Sequence, residues 1–206
     1  MEDIRELREV LRRVEGKLIA AGKIYGAMNF ALWLSVMAVF YVINGVTRVG
    51  GMTSLLYWGV AILIAMPLTV KIWSRLKRLY STFYPSIDEG ETRKIAVLIG
   101  LSWAVGSIVG WVVIPAIGWV GVSADARLGV GFLSFIGISV LGQWLVMTRG
   151  RGEHEMIPSF TLPLLSIPIA WYMKTGTITW TGFVVVAGFS LTILWYLYSA
   201  FRAIER

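Results

Sequence analysis

Six long apolar runs constrain the fold of this chain more than any other feature of its sequence. Each approaches the roughly 20 helical residues needed to cross a hydrocarbon layer about 30 Å thick. The runs occupy 24–46, 53–73, 95–113, 128–148, 156–173 and 177–201. Their only charged residue is Lys71, close to the end of the second run. The sequence therefore predicts an all-α integral membrane protein, a six-helix bundle built from three transmembrane hairpins.

The scarcity of charged residues supports a membrane location. They make up 15% of the 206 residues, against roughly 25% in an ordinary soluble domain. The formal net charge is +7, but the basic residues flank the apolar runs instead of forming a stripe on a soluble face. This placement predicts contact with the lipid bilayer and its anionic headgroups, and it argues against nucleic acid as a partner.

The distribution of basic residues sets the predicted orientation. Lysine and arginine concentrate in the cytoplasmic loops of membrane proteins. If both termini are cytoplasmic, all of the 19 basic residues except Arg48, Arg127 and Lys174 lie on the cytoplasmic side. We therefore expect a protein of the cell membrane with three short external turns, each of which holds one of these exceptions.

Two segments outside the runs are also expected to be helical. Residues 1–22 are predicted to form a cytoplasmic amphipathic helix, which precedes a six-span transmembrane domain over 23–206. The apolar residues of the first segment recur at the spacing of a coiled-coil seam. They are Ile4, Leu7, Leu11, Val14 and Leu18. Two interpretations are open, a helix that lies on the headgroups or loops and a short self-association coil. The link 74–94 is predicted to form an interfacial helix that ends in a loop.

The titratable residues exclude several classes of function. All 12 acidic residues lie in termini or loops, whereas proton-coupled carriers, pumps and intramembrane metal sites use a carboxylate or a histidine at membrane depth. Cysteine is absent, and His154 is the only histidine. We therefore expect no enzyme activity, no metal site and no cofactor. The scarcity of side-chain amides and the lack of cysteine also favour a thermophilic origin.

Polar and helix-breaking residues within the runs are candidates for lining a solute path. Proline removes a backbone donor and frees a carbonyl, as in the broken helices of transporters. An amide in hydrocarbon must face protein or water, because an unsatisfied amide is costly. The candidates are Asn29, Asn44, Ser102, Ser107, Gln143, Pro163, Ser166 and Pro168. The alternative is that these residues serve helix packing.

Small residues in the third and fourth runs predict close helix packing. Gly106 and Gly110 form a GxxxG pair, and Gly137 and Gly142 lie in the next run. Small residues let helix backbones approach closely. We interpret the four glycines as packing positions within the chain, with a homo-oligomer interface as the alternative.

Two functions are compatible with these features. The first is a small channel or facilitative transporter, or the membrane subunit of a transporter, for a small solute. The alternative is a non-transporting scaffold or assembly partner, which recruits other proteins of a membrane complex through its basic amino-terminal helix and the link 74–94. A hydrated cavity among the spans would favour the first function, and a packed bundle would favour the second.

Overall fold

The computed structural model describes residues 2–47, 51–83, 89–117, 121–147 and 153–205. Nearly all of these residues are helical, and none of them lies in a strand. The helices are α1 (Glu2–Thr47), α2 (Gly51–Phe83), α3 (Glu89–Ile108), α4 (Ile114–Ala116), α5 (Ala124–Met147), α6 (Ile157–Tyr172) and α7 (Thr177–Ile204). A π-helical turn, Val109–Val113, joins α3 to α4, and a 3-10 turn, His154–Met156, leads into α6. The all-α prediction is confirmed.

Five stretches of helix are long and apolar enough to cross a membrane. They are Arg5–Asn44, Met52–Leu79, Arg93–Ala116, Ala124–Met147 and Thr177–Ile204. The predicted span 156–173 differs, because α6 has 16 residues, or about 24 Å at 1.5 Å per residue. It ends where the backbone turns extended at Met173. By length and composition the chain has the helices of an integral membrane protein, and the six-span arrangement in hairpins stays a prediction.

The apolar helices differ in how much of their surface is covered. In the most apolar 18-residue stretch of α5, 56% of the residues are buried, against 12% in α2 and 11% in α3. Soluble monomers rarely expose contiguous apolar patches of that extent. The uncovered faces of α2 and α3 are therefore suited to lipid hydrocarbon or to another apolar protein surface.

The predicted amino-terminal helix and the first predicted span are one helix. α1 runs from Glu2 to Thr47 with no proline in it, so no helix end separates 1–22 from 24–46. α2 likewise continues past residue 73 to Phe83, through much of the link that was predicted to be interfacial. The end of that link includes 84–88, which lies outside the described residues, and α3 begins at Glu89.

The chain divides into two compact units. The first comprises Met1–Val36, Gly50–Ile87 and Ile193–Arg206, and the second comprises Met37–Val49 and Asp88–Thr192. In the first unit, the Tyr57 hydroxyl of α2 donates to the carbonyl of Val36 in α1. The ring of Tyr196, near the end of α7, stacks on Phe30 of α1 at 6.0 Å between centroids.

In the second unit, α5 lies between α3 and α6 and contacts both. On one side Phe135 of α5 meets Trp103 of α3, with ring centroids 5.7 Å apart. At the carboxyl end of α5, the Trp144 indole donates to the carbonyl of Glu153 at 3.0 Å and packs on Phe160 of α6. These aromatic contacts explain why α5 is the most buried of the helices of spanning length.

The π-helical turn has a local cause in Pro115. Proline has no backbone N–H, and its ring clashes with the carbonyl four residues earlier, here that of Trp111. The helix widens over Val109–Val113, and the N–H of Ile114 donates to the carbonyl of Val109. The helix therefore continues past Ile108 to Ala116.

The faces of α5 that meet its neighbours are lined by glycines. A Cβ added to Gly131 would collide with the carbonyl oxygen of Gly110, and one added to Gly142 would lie 2.5 Å from the Cβ of Ser102. On another face, a Cβ added to Gly137 would lie 2.6 Å from the side chain of Leu164 in α6. At Gly131 the two backbones therefore approach too closely for a larger residue, whereas at Gly137 and Gly142 a larger residue would have to displace the side chains of Leu164 and Ser102.

Two glycines of α3 provide a matched test of this packing. A Cβ at Gly106 would collide with the Ser139 hydroxyl and lie 2.8 Å from the carbonyl oxygen of Phe135, whereas a Cβ at Gly100 meets nothing within 4 Å. We expect Gly106→Ala to lower the free energy of unfolding by about 1–3 kcal/mol. Gly100→Ala should be neutral or raise it by up to about 1 kcal/mol, because alanine favours helix. Unfolding in detergent, followed by tryptophan fluorescence, measures both, and equal effects would contradict the close contact.

Candidate functional site

The candidate path residues are divided between the two units. Asn29 belongs to the first unit and the other seven to the second. Ser102 and Gln143 come together where α3 contacts α5. Pro163 and Ser166 are buried in α6, whereas Pro168 is exposed. Asn44 and Ser107 are half-buried.

Ser102 joins α3 to α5 through its hydroxyl. The oxygen lies 2.7 Å from the carbonyl of Ile99 in its own helix and 3.2 Å from the carbonyl of Ser139 in α5. Gly142 of α5 lies against the same side chain. The hydroxyl is therefore engaged by backbone acceptors on both helices.

Gln143 is the most buried of the three amides, with 8% of its surface exposed. Its Oε1 accepts a hydrogen bond of 3.0 Å from the indole Nε1 of Trp103 in α3. Its Nε2 donates to the sulfur of Met147 one turn further along α5, at 3.8 Å. The amide thus satisfies the indole of a neighbouring helix. We had not identified Trp103 from the sequence, because an aromatic residue in an apolar run usually packs through its ring alone.

Ser139 is a polar position at the centre of the α3–α5 contact. It is fully buried, and its hydroxyl has no hydrogen-bond partner within the described part of the chain. The hydroxyl points at Gly106, where a Cβ would overlap it. The sequence could have indicated Ser139 through its position four residues before Gln143, which places both residues on one face of α5.

The proline-rich helix α6 packs against α5. Ser159 and Thr161 use their hydroxyls locally, donating to the carbonyls of Met156 at 2.6 Å and Ile157 at 2.8 Å. Pro163 is fully buried, and the next residue, Leu164, fills the space beside Gly137. Together with Gly106, Gly110 and Gly142, this glycine lies at a contact between helices. The buried face of α6 therefore contains packing contacts at the positions where a path was predicted.

The first unit holds two buried oxygens without partners. They are Oδ1 of Asn29 in α1 and Oγ1 of Thr69 in α2, neither of which has a hydrogen-bond partner among the described residues. Thr69 follows Ala61 and Ala65 at helical spacing, and both alanines are buried. Such atoms are normally satisfied by water or by another polar group. The sequence indicated Asn29 as a candidate but not Thr69, because a threonine is an ordinary residue of a membrane helix.

A basic groove lies at the start of α1. It has a volume of about 610 Å³ and is lined by Arg5, Arg8, Glu9, Arg12, Arg13, Ala203, Ile204 and Glu205. The backbones of α1 and α7 approach closely beside it, because a Cβ at Gly16 would lie 2.5 Å from the carbonyl oxygen of Ala203. This groove was not predicted as a site, since the end of α7 was not expected beside residues 5–13.

The chemistry of these positions is limited to hydrogen bonding and electrostatic attraction. The α3–α5 contact offers hydroxyls, an amide and an indole, none of which titrates near neutral pH. The basic groove adds permanent positive charge, because guanidinium groups stay protonated in proteins. Anion recognition at the groove and helix-to-helix adhesion at α5 are therefore what the arrangement can perform.

The Trp103–Gln143 hydrogen bond can be measured by a double-mutant cycle with Trp103→Phe and Gln143→Leu. We expect a coupling of about 0.6–1.7 kcal/mol in the free energy of unfolding, the range found for hydrogen bonds between membrane helices. Trp111→Phe with Gln143→Leu is the control, since Trp111 packs on Phe132 and Phe135 at the other end of the contact. Zero coupling in the first cycle would mean that the bond adds no stability.

No protein-family model matches the chain, and no curated protein or solved structure matches it either.

Proposed function

We propose that this chain is a non-transporting partner protein of the membrane, a scaffold or assembly factor without enzyme activity. In this proposal it crosses the bilayer six times with both termini cytoplasmic, and it recruits a membrane complex through the first turns of α1. The observation that carries the proposal is that Ser102, Gln143 and the glycines of α3 and α5 are engaged in contacts between helices.

A solute path needs polar atoms that are free to exchange hydrogen bonds with the solute or with water. At the α3–α5 contact, the Ser102 hydroxyl and the Gln143 amide bond to neighbouring helices instead. Gly110 and Gly131 bring the two backbones into direct contact. Such contacts suit a rigid packing core better than a conduit.

The exposed surface of α1 supports a recruiting role. Leu7, Val10 and Leu11 are each more than half exposed, although they precede the first apolar run. Arg5 and Arg12 are exposed on the same stretch. Exposed apolar and charged side chains on one regular helix are typical of helices that dock on other proteins.

A second candidate, transport of a small polar solute, is favoured by one observation. Asn29 and Thr69 hold buried oxygens without partners in the first unit. A neutral solute with a hydroxyl or an amide could satisfy either of these atoms. The runner-up function therefore centres on α1 and α2 and no longer on α6.

Purification from native membranes tests the partner role. We expect a stoichiometric partner to co-purify with the full chain and to be lost when residues 2–13 are deleted. That deletion spares Leu18 and Ala20, which are buried, so the fold should survive. The control variant, Arg93→Gln with Lys94→Gln, removes exposed positive charge elsewhere and should keep the partner. Absence of any stoichiometric partner would contradict the proposal.

Flux in liposomes separates the two functions. If the chain does not transport, Asn29→Leu and Thr69→Val should remove buried unsatisfied groups and raise the free energy of unfolding, each by about 1–3 kcal/mol, with no solute flux in any variant. Thr53→Val, at an exposed position, should leave stability unchanged. Solute flux through the wild-type protein that these two variants abolish would establish transport instead.

A further inference from the structure

A second groove continues the basic groove along the contact between α1 and α7. It has a volume of about 370 Å³ and shares Arg12 and Ala203 with the basic groove. Arg12 is followed on the same face of α1 by residues at helical spacing, four and then three positions further on. Both helices line the second groove, α1 through Gly16 and Ile19 and α7 through Ser199 and Arg202.

The arginines of the second groove are not neutralised by a neighbouring carboxylate. Arg12 and Arg202 form no ion pair with a described side chain, although Glu15 lines the groove as well. In the basic groove, by contrast, Arg13 pairs with Glu9 at 3.3 Å. A guanidinium group matches a phosphate with two parallel hydrogen bonds. One arginine from each helix is therefore available to hold the same phosphate group.

The carboxyl end of α7 sets the depth of the second groove in a bilayer. The last apolar run ends at Phe201, so Arg202 and Ala203 lie about 1.5–3 Å past it. Gly16 is level with Ala203, because a Cβ added to this glycine would lie 2.5 Å from the carbonyl oxygen of Ala203. Arg12 lies one turn, about 6 Å, further out. The headgroup layer on one side is about 5–8 Å thick, so the long side chains of both arginines are within reach of lipid phosphates.

The second groove extends from the arginines towards the apolar runs. The two helices are antiparallel here, since a Cβ added to Gly26, ten residues after Gly16, would lie 2.9 Å from the ring of Tyr196. Ile19 and Ser199 therefore both lie on the bilayer side of the arginines, and Ile19 is 45% exposed. A small anion would leave Ile19 uncovered, and a soluble protein segment would have to enter the headgroup layer to reach it. The glycerol and first methylenes of a lipid would cover it.

We propose that the contact between α1 and α7 binds one anionic phospholipid. Arg12 and Arg202 hold its phosphate, and the start of one acyl chain lies along Ile19. Basic pockets between membrane helices on the cytoplasmic side are known to take such headgroups. The proposal goes beyond the partner role and does not depend on it, because the exposed apolar residues at the start of α1 line neither groove. These residues are Leu7, Val10 and Leu11.

Native mass spectrometry of the full chain released from detergent micelles tests the site by giving the dissociation constant of the first bound lipid. The probes are dioleoylphosphatidylglycerol and dioleoylphosphatidylcholine, which share acyl chains and a phosphate but differ in net charge. We expect phosphatidylglycerol to bind at least about tenfold more tightly, and R12Q/R202Q to remove most of this preference. The matched variant R75Q/R93Q removes the same charge from exposed residues beside other apolar runs, and it should change the preference less than about twofold.

Two further variants separate the phosphate contact from the acyl-chain contact. R12K/R202K keeps both charges but loses the paired hydrogen bonds of the guanidinium groups, so its preference should lie between those of the wild type and R12Q/R202Q. Ile19→Ser should weaken the first phosphatidylglycerol about threefold. Ile24→Ser is its control, because Ile24 is similarly exposed on α1 and lines neither groove, and it should have no effect. Unchanged melting temperatures verify that the variants fold.

The other outcomes overturn the proposal. Equal affinity for the two lipids, or equal loss in R12Q/R202Q and R75Q/R93Q, would reduce the site to non-specific attraction. Displacement of the lipid by millimolar glycerol 3-phosphate, with no effect of Ile19→Ser, would make it a simple anion site. Displacement by a glutamate-rich helical peptide at the concentration of the lipid would make the groove a docking site for protein.

Discussion

The structure of the second unit depends on the direct contact of α3 with α5. Gly106 faces Ser139, the Gly110 and Gly131 backbones meet, and Ser102 lies against Gly142. Lipid tails are as apolar as leucine, so helices in a bilayer gain little from the hydrophobic effect and associate through close packing and hydrogen bonds. Direct contact between two helix backbones brings the largest number of atoms of both helices within van der Waals distance of each other. The position of α5, and hence of α6 packed on its other face, follows from it.

The polar side chains of this contact are governed by the same constraint. In hydrocarbon an unpaired polar group has no water to bond, which favours partners on a neighbouring helix or in its own turn. The buried Ser139 hydroxyl is an exception, because it has no partner among the described residues. Gln143 with Trp103, and Ser102 with the carbonyl of Ser139, meet that requirement between helices. The hydroxyls of Ser35 and Thr47 meet it within α1, by donating to carbonyls four residues earlier. Polarity inside a run is thus compatible with a purely structural role.

Hydropathy and spacing predicted the helices, and less of the site. The runs located every helix of spanning length, because each such helix contains one long apolar segment and none of the described residues lies in a strand. They did not show where every helix begins, because nothing in the pattern marks that α1 continues unbroken from residue 2. At Pro115 the helix continues through a π-helical turn. Gln143 stood out as a polar residue, but its partner Trp103 depends on the register of α3 against α5, which a single sequence does not encode visibly. The groove between α1 and α7 joins residues almost 200 positions apart, beyond the reach of any local pattern.

The continuity of α1 changes what its basic residues can do. A helix lying flat on the membrane would bring Arg5, Arg8 and Arg12 to the phosphates, which is one of the two arrangements that the sequence left open. In the structure, α1 instead continues without a break from Glu2 to Thr47, so these arginines lie on the same regular helix as the first apolar run. The arginines are then held beside the end of α7 by the close approach of Gly16 to Ala203. The first unit therefore joins the start of α1 to the end of α7 in one groove, and this contact concentrates positive charge there.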